Sequence, residues 1–544
     1  MTQASAAGLR AAARAWIDDD PDPSARAELQ ALLDAGDERE LVDRFAAPLH
    51  FGTAGLRGPL RAGPNGMNRS VVRRTAAGLA THLLATAGPG ARVVLGCDAR
   101  HGSEAFLADA AAVLAGAGLR AAVLPRALPT PVLAFAVRHL SADAGVMITA
   151  SHNPPRDNGM KVYLADGAQL SSPADAQIER AAAAVPSVRD LPLRQAELLD
   201  EDVVEAYVSA VAALPRSTVR EVRVAYTPMH GVGLETLQAV FARAGFPPPT
   251  VVDEQAAPDP DFPTVAFPNP EEPGALDLLL ALSASADVAI ASDPDADRTA
   301  VAIGDRLLRG DETGVLLADH LLAQGARGRL ATTVVSSGML ERVAAAYGVP
   351  FSRTLTGFKH LARSGDDGRG GSDLLYAYEE ALGVAVAPGL VRDKDGMSAA
   401  LLVAELAALE RSRGRTLLDR LADLERQHGR FATRQLAYRV EDLQTITRTV
   451  ARLRTDPPTA YGRWRVTAVE QPAEDVLLHR VASEAVAGRV VAGRVVAGRV
   501  VAGRVVVRPS GTEPKLKAYL ELVDPGVDDL DDLAAAVDVA LGLS

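Results

Sequence analysis

Two stretches of this sequence bring reactive side chains together. Thr149-Ala150-Ser151-His152-Asn153-Pro154 sets a hydroxyl beside an imidazole, and an amine, Lys161, follows ten residues after the serine. Pro154, Pro155 and Gly159 make this a rigid, tightly turned loop between two strand-like apolar runs. Such a loop suits a nucleophile or a group carrier, although the same residue types also serve as plain turn chemistry. The second stretch, Asp293-Pro294-Asp295-Ala296-Asp297-Arg298, follows the apolar run Val288-Ala289-Ile290-Ala291. Three carboxylates at i, i+2 and i+4 repel unless a cation neutralises them, so a hard divalent metal is their natural partner.

Rival readings of the aspartates can be weighed by position. A calcium loop of EF-hand type needs glycine sixth and glutamate twelfth, where Arg298 and Gly304 stand. A phosphatase with Asp293 as nucleophile and Asp295 as acid wants Thr or Val two residues beyond Asp295, where Asp297 stands. A solvated acidic turn stays open. Three further stretches carry phosphate or sugar chemistry. Gly52-Thr53-Ala54-Gly55-Leu56-Arg57-Gly58 offers open backbone amides and a planar guanidinium. Glu379 and Glu380 can accept bonds from sugar hydroxyls, or simply mark the acidic start of a helix. Arg508-Pro509-Ser510-Gly511-Thr512 supplies a bidentate donor, two hydroxyls and exposed amides for a phosphate. Lys359 and Lys394 are further candidate substrate-binding cations.

The elements that must position these residues alternate. Strand-like runs at 92–96 and 121–124 alternate with helical ones at 103–117 and 131–140, ahead of the Ser151 loop. That order implies βαβ units and a largely parallel sheet. Similar strand–turn–helix patterns start again at Val222 and near Glu312. Residues 1–48 read as two Ala- and Leu-rich helices broken around Asp20-Pro21-Asp22-Pro23. At 544 residues the chain exceeds a single core. Net charge −12 argues against a nucleic-acid or anionic-membrane partner, while leaving room for a basic pocket. One cysteine, Cys97, no signal-type N-terminus and no long apolar run fit a cytoplasmic protein without a membrane span.

Taken together, the motifs resemble those of the α-D-phosphohexomutases, the phosphoglucomutase and phosphomannomutase family, across roughly residues 45–525. The 149–154 stretch is similar to the family's active-site serine loop, 293–298 to its metal loop and 508–512 to its phosphate loop. The resemblance implies four domains around a central cleft: three α/β domains with mixed sheets and a smaller α+β C-terminal domain. The expected limits are a helical extension at 1–48, then 49–216, 217–308, 309–434 and 435–544. It also implies a phosphosugar mutase in which Ser151 carries a phosphoryl group and ligates Mg²⁺ with Asp293, Asp295 and Asp297. Arg57 and Arg298 would approach phosphate, and His152 would join the catalytic set. Lys161 would assist proton transfer, its pKa lowered only if cations such as Arg57 crowd it. Lys359, Glu379, Glu380, Lys394, Arg508, Ser510, Gly511 and Thr512 would bind substrate, with hexose 1,6-bisphosphate as activator and a monomer or homodimer as the state.

One departure bears on the substrate. Many family members have Gly-Glu-x-Ser in the sugar loop, whereas here Tyr378-Glu379-Glu380-Ala381 lacks the serine. This form looks more like the branch with phosphopentomutase and glucose-1,6-bisphosphate synthase, which stays open as an alternative. A metal-dependent sugar phosphatase and a silent sugar-phosphate binder remain rivals.

Val-Ala-Gly-Arg-Val occurs four times in tandem at 486–505 and runs directly into Val506. A five-residue period sends successive arginines to opposite faces of a strand, so four copies cannot form one half-buried strand. The copy next to Val506 is expected to feed the phosphate loop as a strand, with the earlier copies in a hairpin or loop. An arginine-studded docking arm is the competing reading.

Overall fold

The computed structural model describes residues 6–52, 55–368, 371–440, 442–483, 490–491, 494–495, 500–510 and 515–543. Four units follow one another, each built on one sheet. The first sheet runs, in spatial order, Leu56–Pro59, Asp157–Leu164, Ala144–Ile148, Arg92–Cys97, Arg120–Val123 and Glu197–Leu198. The second centres on Val224–Thr227 and Val288–Ala291, the third on Arg329–Thr333 and Leu374–Glu379. The fourth has six strands, all antiparallel, from Phe431–Arg439 to Lys515–Val523.

The first three units repeat one device. A buried parallel strand runs into a polar loop, and the chain returns as an antiparallel neighbour. Ala144–Ile148 returns as Asp157–Leu164, Val288–Ala291 as Ala300–Ile303, and Leu374–Glu379 as Gly383–Ala385. Every residue of Ala144–Ile148 and of Val288–Ala291 is buried, as strands covered on both faces require. This return strand makes each sheet mixed where a largely parallel one was expected from the alternation. Each loop also holds a non-glycine residue in the left-handed region: Ser151 (φ 53°), Ala296 (φ 57°) and Leu382 (φ 63°). Such conformations cost about 1–3 kcal/mol and persist only where the surroundings impose them.

The N-terminal segment has three helices rather than the expected two: Ala6–Asp19, Pro23–Ala35 and Glu38–Phe45. The extra break is local chemistry. Gly36 ends the second helix at φ 67°, and the Asp37 side chain accepts from Glu40 N to start the third. These helices brace the first unit, where Asp19 pairs with Arg74 at 2.6 Å and accepts from Val188 N. No helix among the described residues is long and apolar enough to cross a membrane.

In the pentad tract, the last copy lies in the strand Val501–Pro509, at the centre of the fourth sheet between Val476–Ser483 and Lys515–Val523. That matches the expected placement. Among the described residues, Val490–Val491 and Arg494–Val495 pair with each other as a short antiparallel ladder. Most of the earlier copies lie outside the described residues.

Candidate active site

The three loops and the fourth sheet meet around a cleft of about 630 Å³. The first unit contributes Arg57, Ser151 and His152 to its wall; the second contributes Asp297 and Arg298. Glu379, Glu380 and Lys394 come from the third, Arg508 and Ser510 from the fourth. Asp293, Asp295 and Lys161 lie wholly buried behind this surface. Lys359 is placed one residue past the cleft-lining Phe358 and is not itself part of the wall. On that single turn, Phe358–Leu361, it is Phe358 that faces inward, with Lys394 Nζ 5.3 Å from its ring centroid. Gly511 and Thr512, with Thr53 and Ala54, lie outside the described residues.

At the centre, Ser151 Oγ donates to Asp293 Oδ2 at 2.7 Å. His152 Nδ1 stands 3.3 Å from the same hydroxyl. Burial, reinforced by Arg298 and Arg57, pushes the His152 pKa well below the ordinary histidine value. Burial and then the neighbouring Asp295 and Asp297 carboxylates push Asp293 well above the ordinary carboxylate range. Asp295 and Asp297 are instead held low against burial, chiefly by Lys161.

Lys161 Nζ donates to Asp295 Oδ2 and Asp297 Oδ2, both at 2.6 Å. The condition for a lowered lysine pKa is therefore reversed. Burial opposes the ammonium, but the two carboxylates outweigh it and hold the pKa above the ordinary lysine value. Lys161 is thus held as a buried cation between the two carboxylates.

The donor set fits a hard divalent cation. One oxygen from each of Asp293, Asp295 and Asp297 lies within 4.8 Å of the others. The Oδ1 atoms of Asp295 and Asp297 are buried without a hydrogen-bond partner among the described residues. Buried carboxylate oxygens without a hydrogen bond are costly, and although Arg298 Nε stands 3.9 Å from Asp297 Oδ1, a metal ion would satisfy them directly. The same holds, with opposite sign, for the buried Nε of Arg57 and of Arg298, which suit an anion.

Several supporting residues carry no signal that sequence reasoning had used. Arg100, 4% exposed, donates to four carbonyls of the serine loop: Ser151 and Asn153 at 2.6 Å, Pro154 at 2.8 Å and Asp157 at 3.2 Å. Asp98 accepts from the hydroxyls of Thr149 (2.6 Å) and Ser103 (2.7 Å), and Thr149 Oγ1 in turn accepts from Ser151 N (2.8 Å). An acid and an arginine two residues apart after the strand Arg92–Cys97 were the available clue. From the first unit, Thr130 also reaches across to Asp295 through both backbone and side chain. Lys515 and Lys517 add positive charge to the cleft wall beside Arg508.

The sugar loop is held from both sides. Glu380 Oε2 accepts from Ser336 Oγ (3.0 Å) and Thr333 Oγ1 (3.2 Å). Ala381 offers its carbonyl to Arg298 Nη1 at 2.6 Å, tying the sugar loop to the aspartate loop. Asp393, next to Lys394, accepts from Tyr163 (2.7 Å) and Gln169 (2.6 Å) of the first unit.

Four family models match the chain in order. They are Phosphoglucomutase/phosphomannomutase alpha/beta/alpha domains I, II and III over residues 48–189, 205–306 and 309–427, and the C-terminal domain over 465–538. A Haemophilus influenzae protein named "Probable phosphomannomutase" is 40% identical over 490 residues, covering 87% of this chain and 96% of the relative. Mouse phosphopentomutase is 33% identical, covering 97% and 92%. A Staphylococcus epidermidis phosphoglucomutase is 32% identical, covering 91% and 93%. Among solved structures, a phosphoglucomutase/phosphomannomutase family protein from Burkholderia thailandensis shares the fold, with a TM-score of 0.69 at 21% identity over 90% of this chain and 97% of that one. With those models spanning all four units, the chain belongs to the phosphoglucomutase/phosphomannomutase family and is a phosphosugar mutase.

Proposed function

We propose that this enzyme interconverts sugar 1-phosphates and 6-phosphates, of glucose or mannose, by way of a phosphoryl group carried on Ser151. The observation that carries this reading is the strained Ser151 facing the cleft while its Oγ bonds Asp293 at 2.7 Å. Asp293, Asp295 and Asp297 would hold Mg²⁺ together with the serine phosphate, and the ion would supply charge neutralisation for the transferring group. Arg57 and Arg298, which line the cleft with Ser151, would hold that phosphoryl group. Arg508, Ser510, Gly511 and Thr512 would hold the substrate's other phosphate, with Glu379, Glu380, Lys359 and Lys394 toward the sugar. When a bisphosphate phosphorylates Ser151, the hydroxyl proton ends on the sugar oxygen that is released, and His152 Nδ1, 3.3 Å from Oγ, would be in reach to relay it. Lys161 contributes positive charge beneath the transfer. A hexose 1,6-bisphosphate would prime Ser151.

Ala381 favours a second reading, in which a pentose phosphate is the substrate or the bisphosphate itself the product. With no hydroxyl at 381, a sugar contact worth about 1 kcal/mol is absent. A panel of glucose, mannose and ribose 1-phosphates, assayed with Mg²⁺ and a trace of hexose bisphosphate, decides between them. Conversion of a hexose phosphate without free phosphate is expected. Faster conversion of ribose 1-phosphate would move the assignment to the pentose, and release of free phosphate would replace the mutase reading of this site with a phosphatase one.

A further inference from the structure

We infer that Arg504, the arginine of the last pentad copy, is a positioning residue that sets the phosphate-binding face against the sugar loop. This rests on the reading that Arg508 holds phosphate and Glu380 the sugar. Arg504, Val506 and Arg508 alternate along Val501–Pro509 and so share one face. Opposite them, in register, stand Glu521, Tyr519 and Lys517. The three cross-strand pairs form a graded ladder. Arg508 and Lys517 line the cleft, Val506 and Tyr519 pack against Val334 and Val335 of the third unit, and Arg504 and Glu521 close the far end.

That far end is built rather than incidental. Arg504 is 5% exposed, and its Nε donates to Glu521 Oε1 at 2.8 Å. Its Nη1 donates to Val334 O at 2.9 Å and its Nη2 to Ser336 O. Glu521 Oε2 accepts from Gly338 N at 2.7 Å. One guanidinium and one carboxylate thus clasp the backbone of 334–338, and Ser336 in that segment holds Glu380 through its hydroxyl. The adjacent Gly503 is needed for the strands to close here, since a Cβ would lie 2.1 Å from Glu521 O. A buried pair satisfied by three backbone groups of another unit fixes geometry more than it adds stability. The path from Arg508 to Glu380 runs through it.

The test compares Arg504→Met and Arg504→Lys with wild type, using full-length enzyme and a hexose 1-phosphate. Arg504→Met is expected to raise KM about tenfold, leaving the Mg²⁺ half-saturation point and the extent of Ser151 phosphorylation unchanged. Arg504→Lys keeps the charge but not the planar fork, so it should fold and still show most of the KM rise. In a Ser336→Ala background the further effect of Arg504→Lys should shrink at least threefold, because both act through Glu380. Unchanged KM in Arg504→Lys, full additivity with Ser336→Ala, or an equal change in the Mg²⁺ midpoint would each overturn the inference. Arg508→Lys run alongside separates the two ideas: if it leaves KM unchanged while Arg504→Lys raises it, the phosphate-loop reading fails instead.

Discussion

Ser151 Oγ and Asp293 Oδ2 meet at 2.7 Å although 142 positions separate them in the chain and they belong to different sheets. Each sits in the loop that follows a fully buried strand. The loops are held by their own units, Ser151 through Arg100 and Asp98, Asp293 through the backbone N–H of Arg298 at 3.0 Å. The contact is therefore a product of how two rigid bodies dock, with Lys161 and Thr130 bonding across the same boundary.

Replacing Ser151 by alanine should leave folding intact and lower mutase turnover by roughly 10⁴-fold or more, since the group carrier is lost. Intact mass of wild-type enzyme incubated with hexose bisphosphate should show one added phosphoryl that the variant lacks. Turnover near the wild-type rate in a preparation free of host mutase would remove Ser151 from the mechanism.

Asp295→Asn takes one charge from the aspartate triad. The Mg²⁺ concentration for half-maximal activity should rise about tenfold or more, and chelation of wild-type enzyme should abolish turnover reversibly. Calorimetric titration with Mg²⁺ gives a readout independent of activity. An unchanged midpoint would reduce Asp293–Asp297 to an ordinary acidic turn.

Arg100→Lys should reduce kcat about 10- to 100-fold, equivalent to roughly 1.4–2.8 kcal/mol, with KM little changed. An ammonium cannot serve four carbonyls at once, so the Ser151 loop relaxes. The rate of Ser151 phosphorylation by hexose bisphosphate should fall in parallel. A rise in KM alone would place Arg100 in substrate binding instead.

Asp311 is a mostly buried residue of the cleft wall, accepting from Ser337 N at 2.7 Å and from the Tyr378 hydroxyl at 3.1 Å. Burial, with Glu380 and Glu521 adding to it, pushes its carboxyl up to about 7. A raised carboxyl favours the folded state while protonated, so its contribution is full below the unfolded value and lost as pH rises through about 7. Asp311→Asn keeps an acceptor oxygen and does not titrate. Its Tm relative to wild type should therefore climb between about pH 4 and pH 7, and a flat difference would show that Asp311 ionises freely.

Deleting residues 486–500, three whole copies of the pentad, should preserve mutase activity and leave Tm equal or higher. The remaining copy reproduces Val501–Val505, with Arg504 and Gly503 in place. A folded deletion variant that is inactive would show that the outer copies help to place Arg508.

Contiguous chemistry was legible in the sequence; assembly was not. The Ser151 and Asp293–Asp297 loops announce themselves because their residues are neighbours in the chain and their spacing is fixed by the turn. Because side-chain alternation is local, the pentad's odd period and its run into Val506 pointed to the last copy as the strand, and that copy lies in Val501–Pro509. Arg100 stayed hidden because its acceptors are backbone carbonyls, which carry no residue signature. The charge state of Lys161 was left conditional for a related reason: Asp295 and Asp297, which outweigh Arg57, reach it only once the second unit docks. The break at Gly36-Asp37 has a local signature in the sequence, a glycine followed by a capping acid.

The loop-and-return device, used once in each of three sheets, separates the tasks of the enzyme physically. On the proposed reading, the group that would carry phosphate, the groups that would bind cation and the groups that would read the sugar each follow a strand of a different sheet. A change of side chain in the Glu379–Leu382 loop leaves the Ser151 and Asp293 loops on their own scaffolds, since the loop meets the second unit through backbone carbonyls, Ala381 O accepting from Arg298 Nη1 and Leu382 O from Thr299 N. Sugar preference can then be altered by a few substitutions at one edge while the phosphoryl-handling machinery is inherited whole, so a scaffold of this kind can diversify its substrates without reinventing its reaction.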